Sequence, residues 1–175
     1  MEKPDLGTKT PEELITLFSD PAARVFATHR MAEMGALALA AIRSVLDGSA
    51  VNPFGHSYRS YGEVYRCALI SARFMGAQAI SLEPLLRDAA RDSTGICSVE
   101  AIQALRCIGW KDDETLSVLA EALDRDMDTA AEAVIAIEHA GKADHPAAAN
   151  RLSSSPRARE MMARFGRRNR PWPTE

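Results

Sequence analysis

The chain is short of the residues that carry chemistry. Of its 175 residues only three are cysteines, Cys67, Cys97 and Cys107. Their number is odd and no CxxC pair occurs, which argues against a disulfide framework or a zinc site and fits a reducing compartment with buried thiols. The four histidines, His29, His56, His139 and His145, are dispersed. His139 and His145 are separated by Gly141 and by an expected helix end, a poor arrangement for a metal pair. HExxH, GxSxG, phosphate-loop and dinucleotide signatures are all missing. No catalytic group, cofactor site or metal site is therefore expected, and the chain reads as non-enzymatic. Long apolar runs are missing too. The most apolar stretch, Gly35 to Ile42, is about half of what a membrane span needs and stops at Arg43. The opening MEKPDLGTKTPEEL is acidic and polar, unlike a secretory signal. The expectation is a cytoplasmic protein that does not enter a membrane, a monomer or weak dimer.

What is abundant is alanine and leucine, the composition of close-packed helices. Their distribution is periodic. Five glycines close apolar helical patterns, and eight residues before each stands an alanine: Ala27/Gly35, Ala68/Gly76, Ala101/Gly109, Ala133/Gly141 and Ala158/Gly166. The glycines are 41, 33, 32 and 25 residues apart, the size of a two-helix repeat. The positions four before the glycine (Met31, Ala72, Leu105, Ile137, Met162) and one before it (Met34, Met75, Ile108, Ala140, Phe165) share a helix face with the alanine. The alanine itself marks a close approach of two helices, where a larger side chain would overpack.

The register divides residues 1–166 of a single domain into units at about 11–35, 36–76, 77–109, 110–141 and 142–166. Thr10-Pro11-Glu12-Glu13 is a helix start, and Val25, Met31 and Met34 are expected on the apolar face of the second helix. Ala36 to Leu46 forms a further helix. Ser81 is the expected cap of a helix over 82–90, and Asp112 or Asp113 the cap of the next first helix. Asp124, Asp126 and Asp128 lack the glycine and closing glutamate of a calcium loop, so capping is the simpler account. Residues 167–175 form a basic tail containing Pro171 and Pro173.

Leu82-Glu83-Pro84-Leu85-Leu86-Arg87-Asp88 with Val99 to Gly109, and Leu116 to Leu123 with Ala131 to Gly141, resemble HEAT repeats. The likeness is to the short bacterial HEAT-like repeats of about 30 residues that also occur in phycobilin lyases. It implies an all-α fold, an α-solenoid of about five antiparallel two-helix repeats with the second helices on a concave binding side. The family includes scaffolds, regulatory subunits, lyase subunits and DNA glycosylases, so the resemblance implies architecture more than activity.

Two departures from the register stand out. The first is an insertion at 47–62 with three glycines and a proline, which lengthens the second unit. Phe54, His56, Tyr58, Arg59 and Tyr61 lie in it and Tyr65 just after it, a composition suited to an interface or to a cap folded over the first repeats. The second is charge. From Arg151 onward seven arginines face two glutamates, a balance of +5 in a chain of net −3, which leaves −8 elsewhere. Arg157, Arg159, Arg164, Arg167, Arg168 and Arg170, with Trp172, could hold nucleic acid or act as a solvated end cap. On the second helices Arg24, Arg66, Arg73 and Arg106 are expected to share a band, interrupted by Glu33, Glu100, Glu132 and Glu138. Mixed charge suits a protein partner better than phosphate tracking.

The leading expectation is a protein-interaction or regulatory module that uses the concave face and the insertion. Nucleic-acid binding through the arginines is an alternative. A lyase-like or chaperone-like accessory role is a second one, and it would need a sizeable apolar groove.

Overall fold

The computed structural model describes residues 6–92, 96–142 and 145–165, and among them the chain forms ten α-helices and no strand. None of these helices is long and apolar enough to cross a membrane. The chain gathers into two compact units, residues 1–110 and 111–175. The boundary falls one residue after Gly109, between the third and fourth units of the register.

The first unit contains α1 (Pro11–Leu17), α2 (Arg24–Glu33), α3 (Leu39–Leu46), α4 (Gly62–Met75), α5 (Glu83–Arg91) and α6 (Ile96–Ile108). The start of α1 is a capping box: the Thr10 amide donates to Glu13 Oε2 at 2.8 Å and the Glu13 amide to Thr10 Oγ1 at 3.3 Å. Helix α1 packs on α2, α3 on α4 and α5 on α6, while α4 packs on both α2 and α6. The alanines of the register lie in the core. Ala27, Ala68 and Ala101 are all fully buried, as are Phe18, Ile42, Leu69, Leu86 and Leu105. A leucine at such a position would cost about 1–3 kcal/mol in overpacking.

Three details differ from the sequence reading. Val25 is 58% exposed, so it leaves the apolar face of α2. The helix expected from Ala36 opens as a short 3-10 segment, Gly35–Ala38, before α3 becomes regular. Ser81 does not cap α5; it lies inside another 3-10 segment, Gly76–Leu82, and Leu82 takes the cap position with no side-chain hydrogen bond. That segment begins at Gly76, whose φ of 57° and ψ of −137° belong to a region open essentially to glycine alone. The register glycine therefore stops α4 by its backbone conformation.

The second unit contains α7 (Asp113–Ala122), α8 (Met127–Lys142), α9 (Pro146–Ser154) and α10 (Pro156–Phe165). Asp112 caps α7, its Oδ1 accepting from the Glu114 amide at 2.9 Å. Asp126 opens α8: its carboxylate accepts from the Asp128 and Thr129 amides, each at 3.1 Å, and from the Thr129 hydroxyl at 2.7 Å. These bonds, the Thr129 side chain foremost, hold the Asp126 carboxyl below its ordinary value of 3.8. Helix α8 packs on α7, α9 and α10.

Gly141 does not end a helix. Helix α8 runs through it to Lys142, and a side chain built at Gly141 would place its Cβ 3.4 Å from the Ala149 nitrogen of α9. Here glycine lies against the neighbouring helix and does not terminate its own. Ala133 and Ala158 are fully buried as the register requires, whereas Met162 is 37% exposed and leaves the expected core stripe. Gly166 and the 167–175 tail lie outside the described residues.

Candidate functional site

The insertion is an ordered hairpin. After α3, Asp47 Oδ1 accepts from the Ser49 amide at 2.9 Å, and hydrogen bonds from Ser49 lower the Asp47 carboxyl below 3.8. The chain then turns out and back. Val51 and Ser57 form an antiparallel bridge, and the Tyr58 amide donates to the Ala50 carbonyl at 2.9 Å. Ser57 Oγ donates to the Gly48 carbonyl at 2.8 Å and accepts from the Arg59 amide at 3.2 Å.

Asn52 organises the tip. Its Oδ1 accepts from the Phe54 and His56 amides at 2.9 and 3.0 Å, and its Nδ2 donates to the Tyr61 hydroxyl at 3.0 Å. Its backbone amide donates to the His56 carbonyl at 2.8 Å, and its carbonyl accepts from the Gly55 amide at 2.9 Å. Sequence reasoning passed over Asn52. The available signal was Asn52-Pro53 with Gly55 three residues on, a turn sequence in which the Asn side chain bonds the backbone beyond it.

At this tip Phe54 is 85% exposed. His56 and Arg59 are exposed beside it and Tyr58 is half-buried. The Tyr58 and Tyr61 rings are 6.5 Å apart, tilted by 58°. Tyr65 is the correction among the aromatic candidates: it is buried on α4, where desolvation raises its phenol above 10.0, and the Arg59 guanidinium lies 5.7 Å from its ring centroid. Its ring thus lies under Arg59 in the core and is not exposed beside Phe54. Between the hairpin, α1 and α3 lies an open groove of about 480 Å³, walled by Ile15, Val51, Pro53 and Tyr58, with Glu12 and Ser44 as polar members.

The arginines of the second helices are mostly spoken for. Arg24 of α2 pairs with Glu63 of α4. Arg66 of α4 donates from Nε to Glu100 Oε1 of α6 at 2.7 Å, and that bond raises the guanidinium further above its ordinary value. Arg73 of α4 donates from Nη1 to Gln103 Oε1 of α6 at 2.6 Å. Arg106 is half-buried on α6. Beside Arg73, the Phe74 ring is 47% exposed and stacks on His29 of α2, with centroids 4.7 Å apart and planes at 15°.

In the second unit Arg157 and Arg164 both pair with Glu160, at 2.9 and 3.1 Å, while Arg151 and Arg159 are exposed. Arg167, Arg168, Arg170 and Trp172 lie outside the described residues. His145 is turned to structure: its Nδ1 accepts from the Ala148 amide at 3.4 Å at the start of α9. Among the described residues no group of histidine, cysteine and acidic side chains could hold a metal ion. The three cysteines are free. Cys67 is buried and Cys97 half-buried, and burial raises both thiols above 9.0; Cys107 is exposed, contrary to the expectation of a buried thiol.

Comparison with protein-family models finds no match, and comparisons with curated proteins and with solved structures find none either.

Proposed function

We propose that the chain is a non-enzymatic interaction module with HEAT-like repeat packing, which binds another protein through the hairpin at 47–62 and the face formed by α2, α4 and α6. The pairing of α1 with α2, α3 with α4 and α5 with α6, and the contact of α4 with both α2 and α6, support the repeat reading. The observation that carries the functional reading is Phe54. Leaving a phenylalanine in water forgoes about 1.5–3 kcal/mol of burial. Here it is 85% exposed on a tip fixed by the side chain and backbone of Asn52. Folding gains nothing from it there, while a partner that buries it gains an anchor already ordered before binding.

The test is affinity capture from the native host with the wild-type chain and with Phe54→Ala. The expected result is a defined protein retained by the wild type and lost by the variant, with equal melting temperatures. A captured protein that binds both equally would remove the hairpin from the interface.

A second reading is nucleic-acid binding by the C-terminal helices, favoured by the two exposed arginines outside the Glu160 pairs, Arg151 and Arg159. It requires affinity for duplex or single strands that falls steeply as salt rises. No measurable binding at low salt would dismiss it.

A further inference from the structure

We propose that Arg73, Phe74 and His29 form an anchoring site for a partner segment that carries a carboxylate next to an aromatic or branched apolar side chain. This rests on the interaction-module reading and names the partner's chemistry at a second patch, away from the hairpin tip.

Three arginine rungs cross the adjacent helices α2, α4 and α6. They run from Arg24 to Glu63, from Arg66 to Glu100 and from Arg73 to Gln103. The second and third rungs have the same form. Each is an α4 arginine donating to a side-chain oxygen of α6, at 2.7 and 2.6 Å. They differ in charge. Glu63 and Glu100 neutralise their arginines, whereas Gln103 offers a neutral amide oxygen. Gln103 thus orients the guanidinium without cancelling it, and among the described residues Arg73 makes no ion pair. A cation held in place by a neutral acceptor is ready for an anion from outside.

The apolar half of the site is adjacent. Phe74 follows Arg73 in the last turn of α4 and is 47% exposed. Its ring has the His29 imidazole stacked at 4.7 Å and the Arg73 guanidinium carbon 5.9 Å from its centroid. A platform held by these neighbours loses little freedom when it is covered.

Charge selects among ligands. A nucleic acid or other polyanion needs several uncompensated cations, and the neighbouring arginines are already neutralised by Glu63 and Glu100. A basic segment is repelled by Arg73. A wholly apolar segment would bury the Arg73 charge with no counter-charge and pay its desolvation. A carboxylate beside an apolar side chain satisfies both halves.

The probe is a phage-displayed library of random short peptides, panned on the whole chain. Enriched sequences are expected to place Asp or Glu next to Phe, Tyr, Leu or Ile. A selected peptide is expected to lose about tenfold or more in affinity on Arg73→Ala and on Gln103→Glu, the loss of one charge-assisted hydrogen bond. Gln103→Glu is the decisive variant. It keeps the side-chain length, copies the Arg66–Glu100 rung, and is expected to melt no lower than the wild type, so it serves even if Arg73→Ala fails to fold. Enrichment without acidic residues, no enrichment, or wild-type affinity in Gln103→Glu overturns the assignment. The readout involves no natural partner. A natural partner lost on Phe54→Ala with no acidic peptide enriched would overturn this site and leave the interaction reading standing; the converse would overturn the hairpin's role alone.

Discussion

The insertion at 47–62 and the C-terminal pair α9–α10 both depart from the alanine–glycine register, and they do so by opposite means. The insertion has little charge and almost no core, yet Asn52, Ser57 and the Val51–Ser57 bridge give it one shape. The C-terminal pair is rich in charge, but its ion pairs are local: Arg157 and Arg164 share Glu160 within one helix. Directional hydrogen bonds fix where a side chain points. Exposed ion pairs mostly adjust the surface, because each contributes little in water. An exposed phenylalanine on the first kind of structure is thus a more specific feature than exposed arginines on the second.

That contrast can be broken most severely at Asn52. Asn52→Ala removes three side-chain hydrogen bonds and is expected to cost the hairpin about 2 kcal/mol. Hydrogen exchange should report it, with the Phe54 and His56 amides losing protection while those of α8 keep theirs. Unchanged protection at Phe54 would mean that the backbone bonds alone hold the tip.

A smaller effect is expected at Asp126, the hydrogen-bonding centre of the second unit. Asp126→Ala removes the α8 cap at a cost of about 1 kcal/mol. The folded-state carboxyl lies below its ordinary 3.8, so its stabilising contribution is complete above that value and is lost as pH falls through the lower, folded-state value. Asp126→Asn retains a capping side chain and should flatten this acid dependence. Thermal melts across the acid range check both variants, and an equal slope in the wild type and Asp126→Asn would contradict the assignment.

The smallest effect belongs to Glu160. Glu160→Gln removes both exposed pairs of α10 and should lower stability by only about 0.5 kcal/mol. The same change removes one negative charge from the helix, so on the nucleic-acid reading binding to a duplex should tighten rather than weaken. A melting shift of many degrees would show that α10 depends on these pairs far more than their exposure implies.

Helix existence was legible wherever a cap and a period coincided. Thr10-Pro11-Glu12-Glu13 and Asp112 start helices as read, and all five register alanines are fully buried. The glycines were legible only as a class. Gly35, Gly76 and Gly109 take positive φ at helix ends, but Gly141 sits inside α8, facing Ala149 of α9 across a close contact. Termination and close approach both select glycine, and one letter does not distinguish them. Of the candidate site, the insertion was visible as a composition. Its organiser was not, because an asparagine's role depends on which amides the turn brings to it. Tyr65 looked equivalent to Tyr58 and Tyr61, yet helical phase turned it inward.

By itself the sequence determined helicity, the five buried alanine positions and the two places where the alanine–glycine register breaks, since these follow from local propensity, side-chain size and spacing along the chain. Only the tertiary structure decided which arginines remain uncompensated. Glu63, Glu100 and Gln103 lie 39, 34 and 30 residues from the arginines they meet. Whether a charge is cancelled is fixed by the neighbour across the helix interface, and that neighbour is chosen by packing.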